Sequence, residues 1–141
     1  MNIRMRGEEA SDGQLLASAC SVAAKTFRQA DIPAIRRFAT RFGARAGMGA
    51  AQRSDFMLAV SEAAACATCR GPCTARLRLW TTGSRALCEV QGDGMLFGQE
   101  PHARRGDAEA LRRWLLQQVC DHVSVDDDSQ GVTVRFSMAV A

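Results

Sequence analysis

Residues 131–139, GVTVRFSMA, set Val132, Val134, Phe136 and Met138 at every second position, with other residues between them. Such alternation marks a strand with one buried and one open face. A strand of this kind does not stand alone. It needs neighbours in a sheet and a second layer over its apolar side. The pattern recurs in HVSVD just upstream, in ARLRLW, where Ala75, Leu77 and Leu79 share a face, and in ALCEV, where Ala86, Cys88 and Val90 do. Thr82-Gly83 reads as the hairpin turn between the last two.

The covering layer is written in a different period. Ile35, Phe38, Ala39 and Phe42 stand at i, i+3, i+4 and i+7, an amphipathic helix with Asp31 as N-cap and Pro33 in its first turn. It ends near Gly47 or Gly49. Arg36, Arg37, Arg41 and Arg45 point away from that stripe, either as a solvated face or as a partner surface. A second helix is expected from about Ala50 to Cys69 on Phe56, Val60, Ala63 and Ala67, stopped by Gly71-Pro72. A third, from Asp107 to about Asp121, places Leu111, Leu115 and Val119 on one face with Trp114 and Gln118 beside them. With a first strand over Cys20 to Phe27, the order is β-α-α-β-β-α-β-β. The expectation is an α+β fold, an antiparallel-rich sheet with helices over one face.

Residues 92–108, rich in glycine and charge, read as a long loop of the kind that often carries function. Residues 1–13 read as a loose N-terminal tail and 14–141 as the domain. A chain of 141 residues is long enough to bury a core. The formal charge of +3, with no aromatic-lined basic groove, disfavours direct nucleic-acid binding. LLASACSVAA superficially resembles a signal peptide, but Glu8, Glu9 and Asp12 precede it and Lys25 follows. No stretch reaches transmembrane length. A cytoplasmic protein without membrane contact is expected, and there the six cysteines stay reduced.

Three of those cysteines crowd into CATCRGPC, residues 66–73. Cys66 and Cys69 are a helical turn apart on one face. Cys73 follows the Gly71-Pro72 break, where the chain can fold back towards them. The group reads in three ways: metal ligands, a thiol redox sensor, or plain packing of small apolar side chains.

The runs AIRRFATRFGARAG, DFMLAVSEAAACA and WLLQQVCDHVSVDDDSQGVTVRFSM together resemble the anti-sigma-factor serine kinases, small relatives of histidine-kinase ATPase domains in the GHKL superfamily. The resemblance spans roughly residues 20 to 139. It implies a Bergerat-type two-layer α/β sandwich with a mostly antiparallel mixed sheet, and homodimerisation. Family members carry V-S-E-A-x-x-N-A-x-x-H on the second helix, where the glutamate helps activate an acceptor serine and the asparagine holds magnesium. Here Glu62 is kept, Cys66 replaces the asparagine and Arg70 the histidine. A thiol is a poor ligand for Mg²⁺.

The family's D-x-G-x-G, whose aspartate reads adenine, falls on Gly92-Asp93-Gly94-Met95-Leu96. Gly94 fits, Gly92 occupies the aspartate position, and Asp93 could stand in only by a one-residue shift. The phosphate-cradling glycines fall near Ala110 and Arg112. Glu62, Asp93 and Gly94 are thus a nucleotide-site remnant, and the departures speak against Mg·ATP and against kinase chemistry.

The resemblance places Cys66 at the former magnesium position, so Cys66, Cys69 and Cys73 become candidate ligands of an iron–sulfur cluster or zinc. Such sites usually take four ligands. Cys20, Cys88, Cys120, His102, His122 or a second chain would complete the set. Cys88 and Cys120 by themselves read as core. The functional expectation is a non-enzymatic transcription regulator that binds a sigma factor or a STAS-type anti-anti-sigma protein and senses redox state or metal. The alternative is an active ATP-dependent serine kinase, supported by Glu62.

Overall fold

The computed structural model describes residues 22–68, 73–92, 102–128 and 131–140, without the side chains of 102–109 and 127–128. The elements follow in the expected order: β1 (Val22–Phe27), α1 (Ile32–Arg45), α2 (Ala50–Thr68), β2 (Ala75–Thr82), β3 (Arg85–Gly92), α3 (His102–Val119), β4 (His122–Asp128) and β5 (Gly131–Ala139). The strands form one sheet in the order β1-β2-β3-β5-β4, and every pairing is antiparallel. Two helices separate β1 from β2, and each reverses the chain, so β2 returns antiparallel to β1. Among the described residues one helix, α3, separates β3 from β4, which run the same way, but β5 lies between them. The sheet therefore has no parallel pair among the described residues.

The three α-helices among the described residues cover one face, giving a two-layer α+β sandwich. Helix α2 lies centrally, touching β2, β3 and β5 below and α1 and α3 on its flanks. Its core side carries Phe56, Ala59, Val60, Ala63 and Ala67, all buried. The sheet meets it with Leu77, Leu79, Cys88, Val90, Val134 and Phe136, also buried, so the alternation read in the sequence holds on β2, β3 and β5. Phe56 is the hinge of the packing. Its ring stacks on Phe42 at 5.7 Å and meets Phe136 edge-on at 5.9 Å, linking α1, α2 and β5.

The local signals account for the element ends. Asp31 precedes α1 as expected, but its carboxylate accepts from the Arg28 amide at 3.0 Å and closes a short 3₁₀ turn. Gly83 takes φ +58° in the two-residue turn joining β2 to β3.

Two expectations are corrected. Residues 102–108 belong to α3 and not to a loop, because Ala103, Arg104, Arg105 and Ala108 are good helix formers that outweigh Gly106. Among the described side chains of α3 the buried one is Leu116, while Leu111 and Trp114 are 58% and 53% exposed. Leu115 and Val119 are half-buried flanks of that face. The remainder of the expected loop, 93–101, the tail 1–13, the segment 14–21 with Cys20, and Gly71-Pro72 lie outside the described residues.

The far side of the sheet is polar at its centre. Glu89 on β3 stands directly opposite Arg78 on β2 and Arg135 on β5. Its carboxylate accepts from Arg78 and, at 2.7 Å, from Arg135 Nε. The two guanidinium groups leave the Glu89 side chain 7% accessible.

Candidate functional site

The motif positions gather at one end of the sandwich, where the C-terminal end of α2 meets the C-terminal end of β3. Cys66 lies on the side of α2 that joins the hydrophobic core and is buried. Cys73 is half-buried, and its thiol donates to the Ala67 carbonyl at 3.7 Å. The chain after α2 thus folds back onto the helix end and brings Cys73 to the turn that carries Cys66. Cys69 lies outside the described residues. Among the described residues, no three His, Cys, Asp or Glu side chains come together in a group that could hold a metal ion.

Gly92 closes β3 against this same turn. A Cβ at Gly92 would stand 3.0 Å from the Ala67 carbonyl carbon and 3.3 Å from the Ala67 Cβ, and closer still to the carbonyl oxygen. Only glycine allows that approach. Gly92 is the position at which the sequence resemblance puts an adenine-reading aspartate, and on this backbone an aspartate side chain has no room to leave the strand. Asp93 and Gly94, the other two letters of that remnant, lie outside the described residues.

Glu62 sits on the flank of α2 that faces α3. Its Oε1 is 3.9 Å from Arg112 Nε, and both side chains are partly shielded. Arg112, near which the sequence resemblance puts a phosphate-cradling glycine, therefore sends its guanidinium towards Glu62. Sequence reading places each residue in its motif but not their pairing, since no local pattern links residue 62 to residue 112. On the other flank of α2, Ser61 is buried and accepts from Arg36 Nε at 2.9 Å, tying α1 to α2. Of the four arginines on α1, Arg36 is thus a structural residue.

The remaining described cysteines sit elsewhere. Cys88 is buried at the centre of β3, and burial, followed by the nearby Cys120, pushes its thiol well above its ordinary value. Cys120, after the end of α3, is pushed up to about 12 by burial first, then by Asp121 and Asp55. Burial thus favours the neutral thiol at both positions. His122 is exposed on β4.

Comparison with known proteins finds no matching family model and no similar curated protein. No helix among the described residues is long and apolar enough to cross a membrane.

Proposed function

We propose that this chain is a bacterial regulatory protein of the anti-sigma type, built on a kinase-like ATPase scaffold whose nucleotide chemistry has been lost. It works by binding a sigma factor or a STAS-type antagonist, as a cytoplasmic homodimer. The observation that carries this reading is the seating of Gly92 against Ala67. The strand end and the helix end that would flank a nucleotide are packed backbone against backbone. The Glu62–Arg112 pair points the same way, because a carboxylate facing a guanidinium is poorly placed to take a proton from an acceptor serine.

The cysteine group is the proposed sensing element. Thiolates of Cys66, Cys69 and Cys73 would hold an iron–sulfur cluster or zinc, and its loss or oxidation would bias partner binding. Support comes from Cys73 folding back to the helical turn of Cys66. The burial of Cys66 within the core supports plain packing instead.

Isothermal titration with Mg·ATP tests the reading, and no binding is expected. The second reading, an active serine kinase, is favoured by Glu62 standing half-buried on α2. Transfer of labelled phosphate from ATP to the serine of a STAS protein would establish it and overturn the first.

A further inference from the structure

Helix α1 contains no acidic residue, yet it carries Arg37, Arg41 and Arg45 at i, i+4 and i+8, all exposed. Each step along that row is about 6 Å. The Arg36 side chain is occupied by Ser61, but the side chains of these three make no hydrogen bond or ion pair among the described residues. Like charges at i, i+4 repel one another within a helix. Arg45 gains from the negative end of the helix dipole in the last turn, whereas Arg37 and Arg41 sit too far from it. The fold therefore maintains a self-repelling row that nothing on its own helix compensates. Beside the row, Ala34 and Phe38 are half-buried, and Lys25 reaches over the Phe38 ring with its Nζ 5.9 Å from the centroid. The patch is thus basic along one line, with a narrow apolar shelf on its flank.

We infer that this face of α1 docks an acidic helical segment of a protein partner, one carrying carboxylates at i, i+4 and i+8 with apolar side chains on the adjoining flank. Guanidinium forks pair with carboxylates in two-point geometry, and the matched helical spacing lets three pairs form at once. A membrane surface is disfavoured because the exposed large apolar residues among those described are Val22, Leu58, Leu111 and Trp114, none of them on α1. A nucleic acid is disfavoured because the chain carries a net charge of only +3 and, among the described residues, offers no exposed aromatic ring on α1 for stacking. The inference rests on charge and spacing, and goes beyond the proposed loss of nucleotide chemistry. A chain that binds Mg·ATP would sink that proposal and leave this one intact.

The test is a two-dimensional amide NMR titration of the full chain with a synthetic helical peptide bearing Glu at i, i+4 and i+8 and Leu on the adjoining flank. Shifts confined to α1 and the Lys25 region are expected. A peptide of the same composition with scrambled spacing should bind at least about tenfold more weakly. The variant R37E/R41E/R45E should keep the wild-type dispersion of its spectrum, ignore the acidic peptide and bind its Lys counterpart. Three outcomes would overturn the proposal: unchanged binding by that variant, shifts centred away from α1, or tighter binding of a DNA duplex or phosphatidylserine vesicle than of the peptide. Self-association of the wild-type chain through α1, abolished in the variant, would do so as well.

Discussion

Arg112 Nε stands 3.9 Å from Glu62 Oε1, joining α3 to α2 across the outer flank of the sandwich. Both side chains keep about a quarter of their surface in water, so the pair is worth little as a stabilising contact. Arg112→Ala and Glu62→Gln should each lower unfolding free energy by less than about 1 kcal/mol. The double variant should lose no more than the larger single effect, as a urea-melt double-mutant cycle would read. If the pair matters, it matters by occupying the glutamate.

Gly92→Ala is expected to be far more damaging than its size suggests. The added methyl meets the Ala67 carbonyl, which cannot move without bending α2 or lifting β3. Overpacking of this kind costs about 1–3 kcal/mol. Trimming the partner with Ala67→Gly should fail to rescue it in chemical denaturation, since the crowding is chiefly with backbone.

Glu89→Ala removes the carboxylate that Arg78 and Arg135 share across three strands. Breaking a shielded ionic contact from one side costs up to about 3–5 kcal/mol, and the partial exposure of both arginines places this case at or below the lower end. Thermal unfolding should show a marked fall in midpoint, with Glu89→Gln closer to the wild type than Glu89→Ala.

Alkaline pH should destabilise the fold through its buried thiols. Cys120 is raised from 9.0 to about 12 and Cys88 is raised too, so above pH 9 the unfolded chain loses protons that the folded chain keeps. Their contribution is fully present below pH 9 and declines as the pH climbs towards 12. Urea midpoints measured across that window should fall, and fall less in C88A/C120A. At pH 8, iodoacetamide should leave both thiols unmodified until denaturant is added.

The sheet and α1 were legible in the sequence because each has a single dominant period. Val132 to Met138 alternate, Ile35 to Phe42 follow the helical repeat, and nothing competes with either. Helix α3 was legible only in part. Leu111, Trp114, Leu115 and Leu116 supply apolar residues in several directions, so the buried face is decided by packing on α2 and falls to Leu116. At the candidate site, the family resemblance singled out the positions of Glu62, Cys66 and Gly92 one by one. It did not show that Gly92 rests on Ala67 or that Arg112 faces Glu62, because both relations join segments far apart in the chain.

Protein purified without oxygen should carry iron and sulfide, or zinc, in stoichiometric amount if the cysteine proposal holds. Substituting Cys73, which is half-buried, by serine should release the metal while leaving the far-ultraviolet spectrum intact. Full retention of metal by that variant, or its absence from the wild type, would reduce the cysteines to packing.

Among the described strands β1 pairs only with β2, with Phe27 opposite Ala75. On the ribosome, β1, α1 and α2 must all emerge before the strand that anchors the first of them exists. The nascent chain therefore passes through a stage in which Phe27, Ile35 and Phe42 have no sheet beneath them. A pause in translation before β2 has left the ribosome would prolong that stage.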